Sequence, residues 1–174
     1  EHEALLHHVL EMLPVGVFIA NQDGVIVHGN PAGKRIWAGI RYVGPNEFGE
    51  YRGWRVADEQ AIAPQQWALA RAITKGETTL DEVISIEDFD GVTKTLLNSA
   101  LPLRDAAGSI IGAIVVMQDV SETKRIEQEL RSSREKLRKM AIHELDVREI
   151  ERKRIAREAE AEKQKKVAEQ KQAE

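Results

Sequence analysis

The stretch Ser99-Ala-Leu-Pro-Leu-Arg-Asp-Ala-Ala-Gly-Ser-Ile-Ile-Gly-Ala-Ile-Val-Val-Met-Gln-Asp-Val-Ser-Glu-Thr-Lys124 passes from strand chemistry into helix chemistry without a spacer. Ile110 to Met117 is far shorter than the roughly 20 apolar residues that cross a bilayer and reads as a buried strand. Ala107-Gly108 sets a turn before it. After Val120 the residues become polar helix formers. A compact unit therefore ends where a charged rod begins, with almost no slack between them.

Upstream, Leu6, Val9, Leu10 and Leu13 recur at helical spacing, and Pro14 ends this short opening helix. Gly16-Val-Phe-Ile-Ala20 and Val25-Ile-Val-His28 flank Asn21-Gln-Asp-Gly24, a hairpin pattern. Asn30-Pro-Ala supplies a cap and a first-turn proline for a helix over Ala32 to Trp37. Gly39 to Ala63 has no period and is expected to be loop with a turn of helix. Pro64 to Ile73 restores helical spacing, and Gly76 is placed to stop it. Strands are expected over Thr79 to Glu87, Thr93 to Leu103 and Ser109 to Asp119, turning at Asp90-Gly91 and Ala107-Gly108. The order predicts an α+β fold: a five-stranded antiparallel sheet with short helices on one face, an N-terminal amphipathic helix and a long C-terminal coiled-coil helix.

From Ser121 onward there is no proline or glycine. Ile126, Leu130, Ser133, Leu137, Met140, Glu144 and Val147 alternate four and three apart, the period of a coiled-coil seam. Leu145, Ile150 and Ile155 leave that register, which predicts a stutter between Ala141 and Val147. Four parts are expected: an N-terminal helix over 1–14, the compact α+β domain over 15–120, a coiled-coil helix over 121–158 and a charged helical or disordered tail over 159–174. The chain begins at Glu1 without an initiator methionine and ends in helical composition, as an excised piece would.

Composition narrows the chemistry. A formal net charge of −4 gives no global basic field, so no nucleic-acid partner is expected. Zero cysteines exclude disulfides, cysteine-ligated metals and thiol nucleophiles. No catalytic triad, paired-carboxylate site or phosphate loop is present.

Several phrases in order resemble a PAS sensor domain followed by the signalling helix of bacterial sensor histidine kinases: Leu13-Pro-Val-Gly-Val-Phe-Ile-Ala20, Gly24-Val-Ile-Val-His-Gly-Asn-Pro-Ala32, Trp67-Ala-Leu-Ala-Arg-Ala-Ile73, Gly76-Glu77, Asp90-Gly91, Leu101-Pro-Leu-Arg-Asp105 and Asp119-Val-Ser121. The resemblance covers about Leu5 to Glu158. Asp119-Val-Ser121 looks like the Asp-X-Thr element that closes most such domains, with Ser keeping the hydroxyl. Physically, Asp119 and Ser121 are each placed to accept from first-turn amides, and Glu122 adds favourable charge there. The resemblance implies that Asp119, Val120 and Ser121 transmit a signal, that Ile126, Leu130, Leu137, Met140 and Val147 form the seam of a parallel homodimer, and that an output domain follows in cis or on a partner protein. Leu137 to Glu158 looks like the approach to a kinase phosphoacceptor helix, but Ala159-Glu160-Ala161 stand where the apolar residue, the histidine and the aspartate belong. The chain itself is therefore expected not to be an enzyme: it is either a relative without that function or a piece cut at the kinase boundary and given a helical extension. A cytoplasmic location is expected, with a membrane anchor open only to a longer parent.

The resemblance also places sensing in a pocket between sheet and short helices. Trp54, Trp67 and Asn98 are the candidate pocket residues for an unidentified small-molecule ligand, with core filling as the bland alternative for the tryptophans and solvent exposure for Asn98. No cofactor is predicted. Cysteinyl-flavin chemistry has no cysteine, and no histidine falls in Pro64 to Ile73, where haem-binding relatives place theirs. His7 and His8 are expected to face solvent, binding metal only if other ligands were supplied; His28 is expected at a strand edge or pocket rim, and no metal site is predicted. The competing reading of the whole is a ligand-free scaffold that only dimerises.

Overall fold

The chain's structure, a computed structural model, describes the backbone of residues 2–172 and the side chains of residues 4–166. Three hairpin turns share one device. Asn21 Oδ1 accepts from the amides of Asp23 and Val25, Asp88 Oδ1 from Asp90 and Val92, and Asp105 Oδ1 from Ala107 and Ser109. Three residues after each stands a glycine, Gly24, Gly91 or Gly108, with φ of +78°, +81° and +84°. The side chain closes the turn and the glycine takes the left-handed conformation that a Cβ disfavours.

These turns join an antiparallel sheet. After α1 (His2–Met12) come β1 (Gly16–Asn21), β2 (Ile26–Gly29), α2 (Pro31–Trp37), a 3₁₀ turn (Phe48–Glu50), β3 (Arg52–Arg55), a second 3₁₀ turn (Pro64–Gln66), α3 (Ala68–Lys75), β4 (Thr79–Glu87), β5 (Thr93–Arg104), β6 (Ile110–Asp119) and α4 (Ser121–Gln172). The strand order is β2-β1-β6-β5-β4-β3. The sheet thus has six strands, not the five expected. The extra one, Arg52-Gly-Trp-Arg55, lies in the stretch expected to be loop and pairs with β4 through Gly53 to Ile86 and Trp54 to Ser85. Gly53 occupies the inward position of this strand, so the apolar alternation that marks a strand is missing from its sequence. The helix expected from Pro64 is also divided: Trp67 is extended, with ψ of 138°, and the α-helix starts after it and ends at Gly76.

The core lies on one face of the sheet. Phe18 and Ala20 on β1, Ile84 and Ile86 on β4, Leu96 and Ala100 on β5, and Ala113, Val115 and Met117 on β6 are buried against α2 and α3. Small residues at Ala68, Ala70 and Ala72 let α3 approach closely. Lys94 ties sheet to helix, donating to Asp88 at 2.7 Å and to the Ile36 carbonyl at the end of α2 at 2.5 Å. Burial alone would raise the Asp88 carboxyl, but Lys94 and the amides of Val92 and Asp90 outweigh it and hold it below the ordinary carboxylate value.

The chain divides into two units, residues 1–124 and 125–174. The second is the body of α4. Ile126, Leu130, Leu137, Met140 and Val147 are each about half exposed or more, as are Ile142, Leu145, Ile150 and Ile155. Ion pairs four residues apart, Glu135 with Lys139, Glu144 with Arg148, Glu149 with Lys153 and Glu162 with Lys166, run in the acid-first orientation that supports a helix. Each is worth only about 0.3–0.5 kcal/mol at such exposure. Among the described residues no helix is long and apolar enough to cross a membrane.

Candidate functional site

Between the inner sheet face and the short helices lies a cavity of about 40 Å³. Trp37, the last residue of α2, Phe48 of the first 3₁₀ turn, Tyr51 just after that turn, and Trp67 before α3 form its helical wall; Asn98, Val115 and Met117 are among its sheet residues. The rings pack edge to face. Trp37 lies 4.8 Å from Tyr51 at 88° and 6.0 Å from Trp67 at 68°, a geometry that adds to the area each ring buries. Trp37 Nε1 donates to Met117 Sδ at 3.2 Å, and the Tyr51 hydroxyl donates to the Arg41 carbonyl while accepting from the Arg41 amide. Burial pushes the Tyr51 phenol up to about 12, so it stays a neutral donor.

Two polar groups of this wall are unpaired. Asn98 is 4% exposed, and its side-chain amide forms no hydrogen bond within the described residues. The Trp67 indole N–H is buried without a partner. A desolvated donor such as the Trp67 N–H is costly, unlike the fully satisfied amide of Asn30. Trp54 takes no part in the cavity. It follows Gly53 on β3 and so points to the other sheet face, beside Ser85.

The strand-to-helix joint sits on the same strands. Asn98 pairs with Met117 and Leu96 with Asp119 across β5 and β6. Beyond them, Thr95 donates its amide to Ser121 Oγ at 2.8 Å and accepts from the Val120 amide at 2.9 Å. Asp119 Oδ1 accepts from both the amide and the hydroxyl of Ser121. The expectation that Ser121 would cap first-turn amides is corrected here: its hydroxyl is committed to the sheet through Thr95. Sequence reading missed Thr95 because it becomes a neighbour only through β5–β6 pairing.

Residues 10–125 match the PAS fold family, 116 consecutive positions that hold the whole sheet, the cavity and the joint. The chain belongs to that family. Among solved structures, this PAS domain is similar to an RNA-binding light-oxygen-voltage receptor (21% identity, TM-score 0.56, covering 76% of this chain and 37% of that one). It is also similar to the PAS domain of the fruit-fly ELK potassium channel (11% identity, TM-score 0.52, covering 70% of this chain and 98% of that one). A sensory box histidine kinase/response regulator from Burkholderia thailandensis E264 aligns at 20% identity with a TM-score of 0.45, over 80% of this chain and 99% of that one. The chain spans little more than a third of the light-oxygen-voltage receptor's length. No curated protein gives a match.

PAS pockets that hold organic cofactors must be far larger than this cavity, since ligand sites run to about 300–1,000 Å³. Room for a water begins at roughly 10–15 Å³, so about 40 Å³ accommodates a few waters or a ligand of a few heavy atoms. With Trp37, Trp67 and Phe48 in these positions the open space is smaller than an organic cofactor occupies, and admitting one would require these side chains to move. No histidine lines the cavity and the chain has no cysteine.

Proposed function

We propose that this PAS domain is the sensory or regulatory module of a bacterial signal-transduction protein, acting in the cytoplasm as a parallel homodimer and passing changes through α4 to an output domain such as a histidine kinase. The single observation that carries the reading is the Thr95 to Ser121 bond. Asn98, which lines the cavity, lies three residues from Thr95 on the same strand, so a shift of β5 at the cavity reaches the first residue of α4 through one hydrogen bond. Ser121→Ala removes that acceptor while leaving the strand pairing. Hydrogen exchange at the Thr95 amide is expected to speed up about 5-fold to 10-fold, the scale of one net hydrogen bond, with Leu96 and Asn98 unchanged. Exchange at Thr95 that stays at the parent rate would sink the coupling.

The homodimer reading rests on the exposed seam. Ile126, Leu130, Leu137, Met140 and Val147 repeat at the period that lets two like helices supercoil, and a second copy supplies the matching pattern. Leu130→Lys with Leu137→Lys is expected to yield a folded monomer in light scattering. A dimer surviving unchanged is the result that removes the seam. The small size of the cavity supports, as a second reading, a ligand-free module whose input arrives by contact with another protein surface.

A further inference from the structure

We propose that His7, Glu11 and His28 form a binding site for a divalent transition metal, with Zn2+ as the best-suited ion, at the edge of the sheet. His7 and Glu11 stand four residues apart on α1 and therefore on one helix face, and His28 comes from β2, the edge strand. One nitrogen from each imidazole and one carboxylate oxygen all lie within 4.8 Å of one another. The two rings meet edge to face at 5.8 Å.

A second observation points to something missing from the group. His28 Nε2 is shielded from solvent and has no hydrogen-bond partner. The closest charged atom, Glu11 Oε1, is 3.9 Å away, too long for a hydrogen bond. A tetrahedral ion held at about 2.0–2.1 Å from each donor sets donors about 3.3 Å apart. The His28 to Glu11 pair must then close by about 0.6 Å, and no pair by more than about 1.5 Å. His7 is exposed and Glu11 about a third exposed, so side-chain rotation supplies that movement without disturbing the core.

Two imidazoles and one carboxylate form a donor set typical of Zn2+ sites that keep one position open, and the carboxylate leaves the group with the negative charge a dication needs. The backbone holds the three residues together independently of any ion. Asn30 Nδ2 donates to the Leu10 carbonyl at 3.0 Å, fixing α1 beside Glu11 against the corner that follows His28. An ion at this site would clamp α1 to the sheet edge, giving the domain an input separate from the cavity.

The test uses the full chain freed of any affinity-tag histidines. Calorimetry with Zn2+ is expected to show one equivalent bound, and Co2+ to develop the visible absorption of a tetrahedral site. His28→Ala and Glu11→Gln should each weaken binding by about tenfold or more, a loss that even outer-shell partners of metal ligands can produce. His8→Ala and His143→Ala should leave it unchanged. Circular dichroism without metal checks each variant's fold, and Glu11→Gln, which changes no buried side chain, keeps the test decisive if His28→Ala loosens β2. Absence of binding by the parent overturns the proposal, and so does binding that survives Glu11→Gln and His28→Ala undiminished or depends equally on His8.

Discussion

Asn30→Ala is expected to lower the unfolding free energy by about 3–5 kcal/mol, a large share of the roughly 5–15 kcal/mol that holds an ordinary domain together. Asn30 is fully buried. Its Oδ1 accepts from the amides of Val17 at 2.8 Å and Gly33 at 2.9 Å; its Nδ2 donates to the carbonyls of Leu10 at 3.0 Å and Val15 at 2.9 Å. One side chain thus caps α2, pins the chain where it enters β1 and fixes the end of α1. Truncation strands four backbone groups, and each unmade bond costs about 1 kcal/mol or more. Urea unfolding measures the loss. Asn30→Asp keeps the cap acceptor but turns a carboxylate oxygen toward the two carbonyls, so it should not restore stability at neutral pH; a stable Asp variant would contradict the donor assignment.

That residue also shows what the chain discloses and what it withholds. Asn30-Pro31 announces a helix start, because capping is a local event and leaves a local signature. The other half of its work, holding Leu10 and Val15, depends on α1 folding back, and nothing in the local sequence reports it. The same division separates the three turns from β3. Asn21, Asp88 and Asp105 each precede glycine by three residues, a repeated signal that sharpens the simple Asp-Gly and Ala-Gly turn marks. Arg52-Gly-Trp-Arg55 carries no such mark, since its inward position is a glycine over which the Trp67 ring lies closely enough that a Cβ would collide with it. The missing apolar residue of β3 is supplied by α3's neighbour in space. That gap also decides which tryptophan meets the cavity: parity about Gly53 sends Trp54 to the opposite face, whereas Trp67 fills the inner one. His7 and His28, read singly as surface and rim positions, are likewise brought together with Glu11 by tertiary contact.

Trp67→Ala is expected to cost about 3–5 kcal/mol, the range for truncating a buried aromatic, and to convert the cavity into one that takes an aromatic molecule. Trp67 is 8% exposed, packs edge to face with Trp37 and covers Gly53, so its removal withdraws a whole wall. Its N–H has no partner, so truncation strands no acceptor and the loss is almost entirely packing. The space left is apolar apart from Asn98, the kind of void that stays poorly hydrated and accepts a ligand of matching shape. Indole added to the variant should therefore return stability by mass action, about 2.7 kcal/mol at a concentration near 100 times its Kd. In the parent, where the wall is closed, indole should leave the melting temperature where it is. A shift of equal size in both proteins would mean that the aromatic wall already opens to admit such molecules, and a loss below about 1 kcal/mol would mean that Trp67 does not hold the cavity closed. The contrast between the two proteins bears directly on sensing. If only Trp67→Ala responds, the parent cavity is closed to aromatic ligands, and input must come from a smaller molecule at Asn98 or from outside the cavity altogether.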